Sequence, residues 1–175
     1  FSFNGNKVIT TGGGGMVVTR SAPMADRIRY LSTQAKDDPL RYVHDEVGFN
    51  MRLTNVQAAI GVAQLEQLPR FLARRREIRR LYGELLAAIP GLELADGPAY
   101  ADNNNWLLAV RIQAEEYGEN VESLMSRLAA AQIETRPLWQ PNHLQKPFAG
   151  CRCLGARNSM TLWKETLNIP SSVGL

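Results

Sequence analysis

The sequence has few of the residues that staple small proteins or bind metals in them, with two cysteines and two histidines among 175 residues. Cys151 and Cys153 form a C-x-C pair that is too tight for an easy disulfide, and no second pair completes a zinc site. A metal centre is therefore not expected, and two neighbouring thiols point to a reducing, cytoplasmic compartment. Long apolar runs are also missing, and nothing approaches the roughly 20 residues needed to span a bilayer. No signal peptide, internal repeat or low-complexity segment is visible. The charge is nearly balanced, 20 Lys and Arg against 17 Asp and Glu. That mild basic excess favours a phosphorylated ligand without demanding nucleic acid. The remaining composition, 45% hydrophobic and 21% charged, is that of a globular protein with one sizeable core or two small ones.

The stretch that asks for explanation comes first: Ser2-Phe3-Asn4-Gly5-Asn6-Lys7, then Val8-Ile9-Thr10-Thr11, four glycines and Met16-Val17-Val18-Thr19. It reads as a strand, a tight turn with positive φ angles and a second strand. A nucleotide-phosphate loop is a poor match, because no Gly-Lys-Ser/Thr follows the glycines and the lysine lies upstream. Residue types alone leave Lys7 as either a solvated edge lysine or a nucleophile. An amine crowded out of water, or set beside positive charge, gives up its proton more readily and can form a Schiff base with a carbonyl.

Ser21-Ala22-Pro23 predicts a helix start, with Met24, Ile28 and Leu31 recurring at helical spacing to about Ser32. Thr33 to Glu46 is polar and broken by Asp37-Asp38-Pro39, and predicts an exposed loop. Thr54 and Gln57 fit a capping box for a helix whose apolar positions include Val56, Ile60 and Leu65. Gly61 within it suggests a close packing contact. Pro69 is expected to end that helix and begin another, from Arg70 to about Ala88. The second helix carries Arg70, Arg74, Arg75, Arg76, Arg79 and Arg80 away from its apolar side. A basic nucleic-acid-binding module is one reading of that side, and a solvated face is the other. Leu92–Leu94, Trp106–Ile112 and Ile133–Arg136 predict strands, with Asn120 capping a helix from Val121 to Ala131 and the chain returning at Thr166–Pro170.

SFNGNKVITTGGGGMVVT, together with GFNMRLTNVQAAIGVAQLEQL from Gly48 to Leu68, resembles the DegT/DnrJ/EryC1 family of nucleotide-sugar aminotransferases. The resemblance extends in weaker form to the C-terminus. It implies the C-terminal half of a fold type I, aspartate aminotransferase-like α/β enzyme that uses pyridoxal 5'-phosphate. Residues 1–68 would end the large cofactor domain and residues 69–175 would form the small α/β domain. The implied reaction turns a nucleotide-linked 4-keto-6-deoxy sugar into the 4-amino sugar with glutamate as amino donor. Thr33–Asp38 and Tyr42–Glu46 look most like the branch acting on UDP-linked N-acetylated sugars. An aminotransferase for a free cyclitol or antibiotic precursor is an alternative. Dehydratases of the same fold carry His in place of the lysine, and Lys7 argues against them.

By the same resemblance, Lys7 is the catalytic residue and binds the cofactor covalently, and the Ser2 hydroxyl binds its phosphate. Asn50 reaches the phosphate in the neighbouring subunit's site, which makes a homodimer part of the mechanism. Arg52 either assists at the phosphate or a donor carboxylate, or forms an interface salt bridge. Arg136, Trp139 and His143 are candidates for binding the nucleotide sugar, through charge, ring stacking and hydrogen bonding respectively. The carboxylate for the pyridine nitrogen and the main phosphate turn would lie upstream of Phe1, so the fragment alone is expected to be inactive. Neither nucleic acid nor a membrane is an implied partner.

Overall fold

Helix α2, Asn55–Leu86, runs through the middle of the chain and carries Pro69 in its interior. The computed structural model describes residues 1–175, which form two compact units, Phe1–Pro69 and Arg70–Leu175. The two helices expected on either side of Pro69 are thus one continuous helix. Proline removes one backbone hydrogen bond and crowds the preceding turn, at about 3 kcal/mol.

In the first unit, Ser21 caps α1, Ala22–Ser32, by accepting from the Met24 N–H. The expected opening strands are not regular strands. Only an isolated antiparallel bridge, Ser2 with Gly15, pairs the two arms, fastened by Phe3 N–H to Gly14 O and Met16 N–H to Phe1 O. Val8–Thr10 bends away because those residues meet no ladder partner. The loop docks on α2 instead. Thr10 N–H donates to Gln64 Oε1 at 3.3 Å, and Thr11 is buried where a Cβ on Gly61 would stand 3.0 Å from its methyl. The Thr54–Gln57 capping box forms in both directions. Val56, Ile60 and Leu65, the apolar side of this part of α2, remain exposed.

The polar segment after α1 is an organised loop, not a loose one. Asp37 accepts the Asp45 N–H and the Tyr30 hydroxyl, and Asp38 accepts from Leu40 N–H, Arg41 N–H and the Arg41 guanidinium. Glu46 is paired with Arg27. These bonds favour the ionised form, so Asp37, chiefly through the Asp45 N–H, and Asp38, chiefly through the Arg41 N–H, lie below the ordinary carboxylate range. Partial desolvation, then the bond to Asp37, pushes the Tyr30 phenol up to about 12.

The second unit is a four-stranded antiparallel sheet in the order β1-β2-β4-β3. Its strands are β1, Leu92–Leu94; β2, Leu108–Ile112; β3, Arg136–Pro137; and β4, Thr166–Ile169. Helices α3, Ala114–Tyr117, α4, Val121–Ala130, and α5, Arg157–Glu165, complete the unit. The core joins Val110 and Ile112 of β2 and Leu167 of β4 to Val121 and Leu124 of α4. Asn120 caps α4 as its sequence predicts. The strand expected at Ile133–Arg136 is displaced to Arg136–Pro137, because only there does the chain pair with β4.

The basic side of α2 is not uniformly solvated. Arg75 is buried, and its Nη1 donates to the carbonyls of Asn105, Trp106 and Ser171 at 2.9–3.1 Å. Burial lowers its proton affinity, while its Nε has no partner. Arg74, Arg76, Arg79 and Arg80 pair with Glu77, Asp102, Asp96 and Glu84. With the Arg70 guanidinium 5.4 Å over the Phe71 ring, the basic run is accounted for by contacts within its own unit. No helix is long and apolar enough to cross a membrane.

Replacing Arg75 with Met orphans the Asn105 and Ser171 carbonyls, while Trp106 O keeps the Ser171 hydroxyl, and is expected to lower stability by about 2 kcal/mol, read as a fall in the denaturant midpoint of the full-length protein. Arg75→Lys should fall in between, and an unchanged midpoint for Arg75→Met would contradict the pinning role. The loop should respond to acid. A carboxylate with a lowered pKa stabilises the fold above its ordinary value and loses that contribution as pH drops through the lowered one. Amide protection at Leu40, Arg41 and Asp45 should therefore be full above about pH 5 and decline below about pH 4. In a carboxyl NMR titration, Tyr30→Phe should move the Asp37 midpoint upward.

Candidate functional site

Lys7 emerges from a tight turn in which its backbone N–H donates to Asn4 O at 3.0 Å. The turn follows from Asn4-Gly5-Asn6, residue types that accept such bends, and the Asn4 and Asn6 side chains bond across it. Lys7 is half-buried, whereas Ser2 at the base of the same loop is exposed. The Ser2 Oγ accepts the Asn4 N–H at 3.4 Å, which leaves its proton to donate outward. Thr10 Oγ1 and Thr11 N–H both bond to Phe3 O at 3.0 Å, so the segment between Ser2 and Lys7 is tied to the part docked on α2. An amine and a hydroxyl donor held on one short loop fit a ligand that carries both an aldehyde and a phosphate.

Asn50 and Arg52 are brought together elsewhere in the first unit. They line an open depression of about 510 Å³ with Arg29, Ser32, Thr33, Gln34 and Lys36. Ser2 and Lys7 are not part of that lining. The placement of Asn50 follows from two backbone contacts. Thr33 and Asn50 form an antiparallel bridge, and Gly48 presses against the Gln34–Ala35 backbone, where any Cβ would come within 2.3 Å of Ala35 N. Ala35 is fully buried with φ +49°, so the loop and the Gly48–Leu53 segment meet backbone to backbone. Sequence reading gave Arg29, Lys36 and Gly48 no site role, although Lys36 lies in the Thr33–Asp38 stretch and Gly48 opens the second motif. The only available signals were the polar composition of the loop and the glycine that opens the second motif.

In the second unit, Arg136 pairs with Glu134. Trp139 is 69% exposed and faces Trp106 at 6.1 Å between ring centroids, tilted by 42°. His143 sits in the short turn Asn142–Leu144. Arg136 opens β3 and the other two lie on the stretch that follows it, where an exposed indole offers a flat apolar surface beside polar groups. No group of three or more His, Cys, Asp or Glu side chains is arranged to hold a metal ion, and Cys151 and Cys153 are free and exposed.

Comparison with known proteins supplies the context for this arrangement. The sequence profile of the DegT/DnrJ/EryC1/StrS aminotransferase family matches residues 1–175. The chain is 39% identical over 148 residues to a putative pyridoxal phosphate-dependent aminotransferase, EpsN, of Bacillus subtilis, covering 85% of this chain and 37% of that one. It is 36% identical over 176 residues to a GDP-perosamine synthase of Caulobacter vibrioides, covering 100% and 47%. Among solved structures, DesI crystallised in the presence of its TDP-sugar product superposes with a TM-score of 0.89 at 29% identity, covering 100% of this chain and 44% of that one. The chain thus spans about half the length of the curated relatives it matches, and its mixed α/β architecture is that of a fold type I fragment. Its family depends on pyridoxal phosphate. With the motifs, the architecture and the whole-length match in agreement, the chain belongs to the DegT/DnrJ/EryC1/StrS aminotransferase family.

Proposed function

We propose that this chain is the C-terminal half of a cytoplasmic, pyridoxal-phosphate-dependent aminotransferase that converts a nucleotide-linked 4-keto-6-deoxy sugar to its 4-amino sugar. Glutamate is the amino donor, and the substrate is a UDP-linked N-acetylated sugar. Residues 1–68 end the large domain and residues 69–175 form the small one. The observation that carries this reading is the Lys7 turn, with its neighbouring Ser2 hydroxyl, in a chain that matches the family along its whole length. The GDP- and TDP-sugar proteins among its relatives support a nucleotide-linked substrate.

Lys7 Nζ would hold the cofactor covalently and, when free, would serve as the base that moves a proton to and from the reacting carbon. The bound cofactor supplies the electron sink. Ser2 donates to the phosphate and fixes the reacting end at the distance the loop allows. Asn50 donates to the phosphate held by a second subunit, with Arg52 beside it, so each site takes residues from two chains of a homodimer. The uncovered apolar side of α2, at Val56, Ile60 and Leu65, supports burial against further protein. Arg136, Trp139 and His143 bind the nucleotide sugar, with the Trp139 ring as a stacking surface.

In the full-length protein, Lys7→Ala should abolish transamination and the visible absorbance of bound cofactor, while wild type reduced with borohydride should carry the cofactor on the Lys7 peptide in mass spectra. A colourless wild type would sink the proposal. The shared site has its own signature. Lys7→Ala and Asn50→Asp dimers should each be nearly inactive, and mixing them under exchanging conditions should restore activity, because one site per hybrid dimer then has both residues intact. No restoration would place Asn50 in its own chain's site. Trials with UDP-, GDP- and dTDP-linked keto-sugars would test the sugar assignment, and a preference for GDP or dTDP would displace the UDP branch.

A further inference from the structure

We infer that the depression lined by Arg29, Lys36 and Arg52 binds the diphosphate of the nucleotide sugar, a role separate from holding the cofactor phosphate. The inference rests on the proposed function, in which Asn50 on the same rim faces the active site of a second subunit. Three cations converge on about 510 Å³ of open space, and no carboxylate is among the lining residues. The Gln34 and Asn50 amides add neutral donors on the rim, while the Ser32 and Thr33 hydroxyls donate to Arg29 O.

The cations are available at little expense. Arg52 makes no ion pair. Arg29 has only a solvent-exposed bond to Asp26, both side chains more than 70% exposed, and such pairs contribute little. Lys36 Nζ rests 5.1 Å over the Tyr42 ring, which leaves its charge uncompensated. The end of α1 would ordinarily oppose an anion here, because helix C-terminal carbonyls carry partial negative charge. In this fold each of the last four is occupied. Arg29 O accepts from Thr33, Tyr30 O from Ala35, Leu31 O from Phe49 and Ser32 O from Met51. The side chains therefore set the sign of the depression. Three cations and a wide mouth suit two linked phosphates better than a single phosphate gripped by one asparagine.

The test uses the full-length protein, comparing wild type with the double variant Arg29→Gln, Lys36→Gln. Calorimetric titrations measure inorganic pyrophosphate and UDP on the cofactor-loaded forms, and pyridoxal phosphate on the cofactor-free forms. The double variant should bind pyrophosphate and UDP at least about tenfold more weakly, with KM for the nucleotide sugar raised far more than kcat falls. Cofactor affinity and melting temperature should not change. Arg29→Lys, which keeps the charge, should retain most of the affinity. If UDP and pyrophosphate bind equally well to both forms, or if cofactor affinity falls instead, the assignment is wrong. A wild type that takes up no cofactor would overturn the proposed function, while the UDP titration would still decide the role of these cations.

Discussion

The docking of Thr10 and Thr11 on α2 is the contact on which the proposed chemistry depends. A reactive lysine needs its backbone fixed, because a displacement of about 1 Å can cost a hundredfold in rate. The loop that carries Lys7 has no sheet to hold it, only one bridge and a few backbone bonds. What steadies it is a buried threonine set against a helix position with no side chain, Gly61. A glycine mid-helix is locally unfavourable by about 1 kcal/mol; here it gives the loop a seat.

The second unit solves a different problem with a different device. Its sheet is short, and the loops leading into β2 and out of β4 turn carbonyls inward. Arg75 gathers three of those carbonyls on a single nitrogen. A neutral side chain of the same reach could satisfy fewer of them, so burial of a charge is tolerated where it replaces several separate donors. Around it, Arg74, Arg76, Arg79 and Arg80 are matched by nearby acids at the surface, where each pair is worth little.

Features set by a few adjacent residues were legible in the sequence. The caps at Ser21, Thr54 and Asn120 depend on side chains within three positions of the N–H groups they satisfy, and β1 and most of β2 follow from their apolar patterns. What misled were the features decided at a distance. Pro69 carries a strong local stop signal, yet α2 runs through it, and Val8–Thr10 has strand-forming residues but no partner. Arg75 could have been recognised, since it shares one helical stripe with Phe71, Ile78 and Tyr82, and an arginine on an apolar stripe is a candidate for burial. In the proposed site, Lys7, Ser2 and Asn50 were visible through their motifs. Arg29 and Lys36 were not, because they reach Arg52 only through the fold of the intervening loop.

The absence of clearance at Gly48 bears on how relatives of this protein can diverge. The seam where it meets Gln34 and Ala35 is built from main-chain atoms alone, so it can accept no new side chain without moving Asn50. The positions around its rim are open to water. If the proposed role of the depression holds, changes in ligand preference can accumulate on that rim while the seam stays fixed, and a library aimed at new sugar substrates would vary Gln34 and Lys36 and leave Gly48 untouched.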